Sequence, residues 1–457
     1  MSPENIFTQF DQAVNWNAAL YISYKIIFIT LSATLFIMLP TNDYALWANI
    51  NSLIYLFLLW IDCGMRKSVP RFCMQFNSIS RFITGIVTVQ LLILLISIPW
   101  MYYSLEYIVG KLHHQIHSIC YCGLAVFTTQ AIVNIIRSLF HSYFLNKQFN
   151  LLAIIIMVAE MTCNLSLLFF EPNATTILYT LFISKTFADL LLIIISVPLL
   201  IQLLPTITPQ ARQNTLTHSN NTTKRFFMYS CTMWMATIIK SFTERNFLVP
   251  FITHALNPEI ANIFKLSNDM ALVFYRFILK TIGTADTSLL SQSSLFGNNV
   301  AFNAAFTKLI TKIAHLCLFA FVIIMAINMY RIYFFDTKTI GQLFLITAIC
   351  YIIEALLLPF ERILEIKENY LYLFIGYIPY IVILILILFA SNIPTLSSSF
   401  ISFIILVHIA RLASSFLITI FAHKKHNNLT FFTSFVTKRK ILMQQPVKSH
   451  ITNCSKN

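Results

Sequence analysis

The chain has 457 residues, of which 58% are hydrophobic and only 11% are charged, and its mean hydropathy is +0.75. Soluble proteins carry about 25% charged residues, so the composition excludes a water-soluble globular domain and indicates a polytopic membrane protein. The formal net charge of +14 needs no nucleic acid as a partner, because basic cytoplasmic loops and a basic tail account for it.

Twelve windows of about 20 apolar residues predict membrane-spanning helices. The first six lie at 17–39, 44–63, 82–105, 116–138, 149–170 and 176–203. The second six lie at 227–248, 260–284, 309–331, 340–360, 370–391 and 398–422. The polar stretch between the two sets predicts a linker. The predicted organisation is therefore a six-helix half at 1–205, a cytoplasmic linker at 206–225, a six-helix half at 226–422 and a basic cytoplasmic tail at 423–457.

The distribution of Lys and Arg orients these helices, because cytoplasmic loops of membrane proteins are rich in both. With both termini in the cytoplasm, most of the 31 Lys and Arg residues fall in cytoplasmic loops or the tail. The outer loops then hold only Lys111, Arg245, Arg331 and Lys338. The basic tail is expected to attract anionic lipid headgroups by about 1 kcal/mol per residue.

Seven cations fall well inside the predicted spans, away from the residues at the span ends. They are Lys25, Lys185, Lys240, Lys265, Arg276, Lys280 and Arg411. Charge at bilayer depth costs about 2.5–3.5 kcal/mol per residue even on the lenient insertion scale, so such groups face protein or water. On the span at 260–284, Lys265, Asp269, Arg276 and Lys280 fall within about 60° of one another on the helix. This face predicts a water-filled lumen; the alternative is an internal Lys265–Asp269 pair, with the end residues reaching the interfaces.

The excess of cations in the spans predicts an anionic ligand, because buried positive charge needs neutralisation. Four acids are candidates for balancing charge or for coupling transport to H⁺ or Na⁺, and each could equally be a structural ion-pair partner. They are Asp62, Asp189, Asp269 and Glu354. The sequence shows no metal-ligand spacing, no phosphate-binding glycine loop and no long outer loop, so neither an enzyme nor a cofactor is expected. No helix breaker marks a discontinuous binding helix.

A local sequence pattern carries a family resemblance. Residues 59–65 read Leu-Trp-Ile-Asp-Cys-Gly-Met, and residues 69–72 read Val-Pro-Arg-Phe. This is similar to the turn after the second helix in polysaccharide (O-antigen type) flippases of the multidrug/oligosaccharidyl-lipid/polysaccharide (MOP) exporter superfamily. A second similar segment is 362–367, Arg-Ile-Leu-Glu-Ile-Lys, before Tyr370. The drug-extruding branch of that superfamily usually has an acid in the first helix, where this chain has Lys25.

The resemblance implies an all-α polytopic membrane protein with about 12 transmembrane helices in two six-helix halves, a MATE-like fold with both termini cytoplasmic. It also implies a flippase that moves a polyprenyl-pyrophosphate-linked sugar or oligosaccharide across a bacterial inner membrane. The seven cations would then bind pyrophosphate or acidic sugars, and the partners would be lipids and glycan-assembly enzymes. Two alternatives remain: an ion-coupled exporter of a soluble anion or drug, and a membrane glycan polymerase or ligase.

Overall fold

The computed structural model is helical over most of the residues that it describes, with short turns between helices. The described residues are 3–73, 79–112, 118–142, 145–170, 173–212, 222–255, 258–282, 286, 289–290, 299–334, 338–390 and 400–425. The predictions made for the middle of the linker, 213–221, and for the basic tail beyond residue 425 lie outside these residues.

The helices follow the predicted spans in chain order. The first half contains α1 (Pro3–Met38), α2 (Thr41–Ile61), α3 (Met65–Phe72), α4 (Ile79–Leu112), α5 (Ile119–Ser142), α6 (Asn146–Phe170) and α7 (Ala174–Arg212). The second half contains α8 (Thr222–Ser241), α9 (Arg245–Ala255), α10 (Pro258–Ile282), α11 (Asn299–Phe334), α12 (Lys338–Ile366), α13 (Tyr370–Gly376), α14 (Ile378–Ala390) and α15 (Phe400–Lys425). Helix α7 continues to Arg212 and α8 begins at Thr222, so helices occupy both ends of the predicted linker.

Nine helices within the described part of the chain are long and apolar enough to cross a membrane. The other three predicted spans coincide with α10, which carries the charged face, and with the interrupted segments α8–α9 and α13–α14. Exposed apolar side chains such as Ile96 on α4 and Ile194 on α7 suit a surface that faces lipid. The prediction of an all-α polytopic membrane protein is confirmed.

Contacts between the halves agree with the predicted alternation of the helices across the membrane. At the ends predicted to lie outside, Asn262 Nδ2 donates to the Thr41 carbonyl (3.2 Å). At the ends predicted to be cytoplasmic, Lys308 Nζ lies 2.8 Å from Asp11 Oδ2. Because these contacts join residues assigned to the same side of the membrane, they agree with the predicted number and order of spans.

Helix α10 occupies the junction between the two halves. It packs against α1 and α2 of the first half and against α9 and α12 of its own half. On the α1 side, the Tyr21 hydroxyl donates to the Val273 carbonyl (2.9 Å). The fold thus places the charged face of α10 where the halves meet.

Candidate functional site

The outer part of the charged face of α10 is a buried triad of Arg245, Lys265 and Asp269. Lys265 Nζ lies 3.0 Å from Asp269 Oδ2, and Arg245 Nη1 donates to Asp269 Oδ1. All three residues are at most 3% exposed. Because two cations share one carboxylate, the triad keeps one uncompensated positive charge in the protein interior.

The triad also joins the halves at what we call the outer junction. Lys265 Nζ donates to the Tyr44 hydroxyl of α2 (3.2 Å) and the Ser32 hydroxyl of α1 (3.4 Å). The same ammonium lies 4.4 Å from the ring centroid of Trp47, a distance at which a cation is attracted to the aromatic face. Nearby, Asn49 Nδ2 donates to Thr253 Oγ1 (3.1 Å). The Lys265 ammonium, which is paired with Asp269 of its own helix, therefore also binds neutral groups of the first half and holds the outer ends of the halves together.

The seventh span is discontinuous, although no helix breaker predicted this. Helix α8 ends at Ser241 and α9 begins at Arg245. The Thr243 carbonyl, freed at the break, accepts from Arg411 Nη1 of α15 (3.3 Å). The expectation that Arg245 lies in an outer loop is also wrong, because the break turns its side chain into the interior, where Asp269 provides the counter-ion. Broken helices at membrane depth commonly mark binding sites in transporters.

The second half contains two further ion pairs from the predicted set. Arg411 forms a bidentate pair with Glu354, with both N–O distances at 2.9 Å, and the Tyr275 hydroxyl donates to Glu354 Oε1 (2.7 Å). Lys240 Nζ lies 2.6 Å from Glu361 Oε2. These cations already have carboxylate partners, so their charges are balanced without a ligand.

The remaining predicted acids lie in the first half and are also paired. Lys185 Nζ lies 3.0 Å from Asp189 Oδ1 and 3.4 Å from Glu160 Oε2, so one ammonium bridges two carboxylates. Asp62 accepts from the backbone N–H of Arg66 (3.2 Å), and its other oxygen lies 3.9 Å from Arg66 Nε. The structure therefore places Asp62, Asp189, Asp269 and Glu354 in ion pairs.

Three predicted cations differ from the rest, because none forms an ion pair with a described acid. These unpaired cations are Lys25, Arg276 and Lys280. Lys25 is only 3% exposed, and its ammonium lies 5.1 Å from the centroid of Phe28 and 5.9 Å from those of Tyr21 and Tyr24. Arg276 is half-buried and Lys280 is exposed.

The unpaired cations and the triad are close enough for their charges to act on one another, and we call this set the positive path. The charge of Arg276 acts on both Lys25 and Arg245, and the charge of Lys25 acts on Lys265. Towards the cytoplasmic end, Arg276 also acts on Lys280. The charge of Glu244, a half-buried carboxylate at the helix break, acts on Lys280, and Glu244 forms no ion pair among the described residues.

A dense polar contact joins the halves at the cytoplasmic end; we call it the cytoplasmic junction. Gly64, at φ 74°, packs against the Ser230 carbonyl of α8, and Ser230 Oγ donates to Ser68 Oγ (2.7 Å). Lys67 Nζ lies 2.6 Å from Glu365 Oε1 of α12. Arg71 donates to the Ile366 carbonyl and to Glu368 Oε1, at 2.9 Å each.

Tryptophan side chains extend this junction. Trp234 Nε1 of α8 donates to the Trp60 carbonyl of α2 (2.6 Å), and Trp60 Nε1 donates to Ser241 Oγ (2.9 Å). The predicted turn after the second helix, with its Gly and basic residues, thus makes the contact between halves on the cytoplasmic side.

Sequence reasoning missed four charged residues of this site: Glu160, Glu244, Arg245 and Arg137. Glu160 and Glu244 lie inside predicted spans, so a complete count of charges in the spans would have found them. Arg137 and Arg245 lie near predicted span ends, where a loop position is the ordinary interpretation. Among the described residues no cluster of three or more His, Cys, Asp or Glu could hold a metal ion.

The sequence matches no protein-family model, and no curated protein sequence is significantly similar to it. Solved structures nevertheless share its fold over nearly the whole chain. The eukaryotic MATE transporter AtDTX14 has a TM-score of 0.65 at 12% identity and covers 96% of this chain and 99% of its own. The bent form of the Vibrio cholerae MATE transporter VcmN has a TM-score of 0.59 at 12% identity, over 93% and 97%.

A third structure is a MOP superfamily transporter from Pyrococcus furiosus, with a TM-score of 0.56 at 11% identity over 93% of this chain and 96% of that chain. For that protein, a reverse polarity of the binding pocket is described as suggesting a different function. The chain therefore shares its fold with these MATE transporters, as its turn motif and span count predict. The assignment to the polysaccharide flippase branch stays a prediction.

Proposed function

We propose that this chain, built on the MATE-like fold, is a membrane transporter that carries an anionic cargo by alternating access of its two halves. More specifically, we propose that the chain is a flippase that moves a polyprenyl-pyrophosphate-linked sugar or oligosaccharide from the cytoplasmic to the outer leaflet. The observation that carries it is the set of unpaired cations, Lys25, Arg276 and Lys280, at the junction between the halves.

The electrostatics favour an anionic cargo over a cationic one. Lys25 is buried among aromatic rings with no carboxylate beside it, and its charged neighbours are Arg245 and Arg276. An uncompensated cation in a low-dielectric interior is unfavourable by several kcal/mol. An arriving phosphate or carboxylate lowers that cost, and the planar guanidinium of Arg276 can engage phosphate oxygens in a bidentate manner. A cationic drug would instead raise the repulsion.

The position of these cations suits a transport cycle. Arg276 lies on α10, which packs against α1 and α2, and Lys25 lies on α1. A cargo bound between Lys25 and Arg276 therefore contacts both halves, so rocking of one half against the other changes its access from one side of the membrane to the other. The prenyl tail of a lipid-linked cargo would remain in the bilayer while the pyrophosphate passes along the positive path.

The four predicted acids are less suited to bind a coupling ion, because each already has a cation partner. They are Asp62, Asp189, Asp269 and Glu354. A carboxylate can bind H⁺ or Na⁺ during transport only when its resident cation leaves or when it has none. Glu244 is an acid at membrane depth whose charge acts on Lys280 of the positive path and which forms no ion pair among the described residues. We therefore add Glu244 to the candidates for charge balance or coupling.

The first prediction tests the unpaired cations. We expect the double substitution Lys25→Gln and Arg276→Gln to lower transport in proteoliposomes by more than tenfold, because each lost contact to an anion is worth about 1 kcal/mol or more. Thermal stability should be unchanged or higher, because the substitutions remove uncompensated charge. The matched control is Lys224→Gln, which removes an exposed cation of α8.

The same assay separates the kinds of cargo. Vesicles are loaded with either a polyprenyl-pyrophosphate-linked sugar in one leaflet or a soluble sugar phosphate in the lumen. Translocation of the lipid-linked sugar alone supports the flippase, whereas movement of the soluble anion alone supports an exporter and contradicts the flippase. Full transport of either cargo by the double variant would overturn the anionic mechanism itself.

A further inference from the structure

Two cations of the first half lie outside the positive path, near Lys280 at its cytoplasmic end. We call Arg66, Arg137 and Lys280 the inner cation cluster. Arg66 is in the first turn of α3, Arg137 is in the last third of α5, and Lys280 is in the last turn of α10. Helix α3 packs against α5. Three separate elements, from both halves, thus contribute one positive group each to the same region.

The three groups are close enough for their charges to act on one another. The charge of Arg66 acts on Arg137, and the charges of both act on Lys280. The imidazole of His141, one turn beyond Arg137, is near all three and shares a weak contact with Asn150 (3.5 Å). Like charges held together in a folded protein are unfavourable, so this arrangement calls for an anion.

The protein itself supplies little compensation there. Asp62 lies 3.9 Å from Arg66 and is also engaged by a backbone N–H. Asp189 acts on Arg137 but is paired with Lys185, and Glu244 acts on Lys280 without pairing. The guanidinium of Arg137 lies over Phe149 (5.5 Å to the centroid), and its Nε is buried without a hydrogen-bond partner. A buried donor of this kind normally has an acceptor.

Two of the three cations in the cluster are accessible from outside the protein. Lys280 is exposed, and the Arg66 side chain is 34% exposed. The cations of the outer junction are enclosed instead, with Lys265 only 1% exposed. Positive charge that solvent can reach is therefore found at the cytoplasmic end, where a cytoplasmic anion arrives first.

We propose that Arg66, Arg137 and Lys280 form a separate loading site for a phosphate- or pyrophosphate-bearing group, which the cargo occupies before it reaches Lys25 and Arg276. The inference rests on the proposed anionic function and deepens it, because it assigns two residues, Arg66 and Arg137, that the positive path does not use. Two guanidinium groups and one ammonium suit a pyrophosphate better than a single carboxylate. Lys280 also belongs to the positive path, where the charge of Arg276 acts on it, so it links the two sites.

The test measures the equilibrium binding of inorganic pyrophosphate to the full chain by titration calorimetry, with the protein in nanodiscs of neutral lipid. We expect Arg66→Gln and Arg137→Gln to weaken binding by about tenfold each, and Arg66→Lys with Arg137→Lys to retain most of it. The control Lys224→Gln should bind as the unaltered chain does. Lys25→Gln with Arg276→Gln should keep binding at the loading site. Thermal unfolding of each variant verifies that it is folded.

Two outcomes contradict the loading site. Unaltered pyrophosphate binding by the Arg66→Gln and Arg137→Gln double variant would overturn it, and so would no binding by the unaltered chain. Either result leaves the transport test of Lys25 and Arg276 independent, so the failure of this inference can be told from the failure of the proposed function.

A second arm distinguishes the source of the phosphate. Nanodiscs that contain phosphatidylglycerol are compared with neutral ones. If the anionic lipid lowers pyrophosphate affinity only when Arg66 and Arg137 are present, a lipid headgroup occupies the site. If it has no effect, the site selects the pyrophosphate group.

Discussion

Replacing Gly64 by alanine is expected to disrupt the cytoplasmic junction and to abolish transport. Gly64 has φ 74°, a conformation that costs about 1–2 kcal/mol for a residue with a Cβ. An added Cβ would clash with the Ser230 carbonyl oxygen. Since that oxygen belongs to the backbone of α8, the whole helix would have to move away from the α2–α3 turn. The combined loss of stability is expected to be about 2–5 kcal/mol.

The matched control is Gly85→Ala on α4, where an added Cβ meets nothing within 4 Å. This change should be neutral or stabilising by up to about 1 kcal/mol, because alanine favours a helix over glycine. Thermal unfolding in detergent and transport in proteoliposomes measure the two effects. Equal behaviour of the two alanine variants would show that the close approach of Gly64 to α8 has no part in closing the cytoplasmic side.

Replacing Asp269 by asparagine is expected to have the largest effect of any single charge change. Asp269 is the shared counter-ion of Arg245 and Lys265, and all three are buried. Removing one partner of a buried ion pair typically costs 3–5 kcal/mol, because the remaining charge stays uncompensated. Here two cations lose their partner. We expect the variant to unfold at a markedly lower temperature and to lose the outer junction.

The control for Asp269→Asn is the same substitution at Asp11. Asp11 pairs with Lys308, but the two side chains are 45% and 31% exposed, so the loss should be at most about 1 kcal/mol. A triple variant, Asp269→Asn with Arg245→Gln and Lys265→Met, should recover much of the lost stability, since no charge is left buried. If the triple variant is no more stable than Asp269→Asn, electrostatics is not what the triad contributes.

The sequence predicts the membrane spans of this protein well, and the reason is physical. A run of about 20 apolar residues has few alternatives to a membrane helix, so each predicted span coincides with a helix or an interrupted helix. The one-sided placement of Lys265, Asp269, Arg276 and Lys280 was equally predictable, because it follows from helix geometry alone. The structure adds that Lys265 and Asp269 form a buried triad with Arg245. Arg276 and Lys280 form no ion pair with a described acid.

Pairing between distant segments was not predictable, because a single sequence does not reveal which helices are neighbours. Arg245 looks like a loop residue until α9 is packed on α10, and Arg411 looks unpaired until α15 is packed on α12. The break between α8 and α9 has no Gly or Pro to mark it. It is held instead by hydrogen bonds such as that from Arg411 to the Thr243 carbonyl, which only the tertiary fold supplies.

The indole groups at the two junctions provide intrinsic optical reporters of the transport cycle. The chain has only five tryptophans; Trp47 lies beneath the Lys265 ammonium on the outer side, and Trp60 and Trp234 are hydrogen-bonded together on the cytoplasmic side. Water entry at either place would shift the emission of those fluorophores to longer wavelength. Variants that retain tryptophan at one side only would thus show, without any attached dye, which side opens when cargo is added.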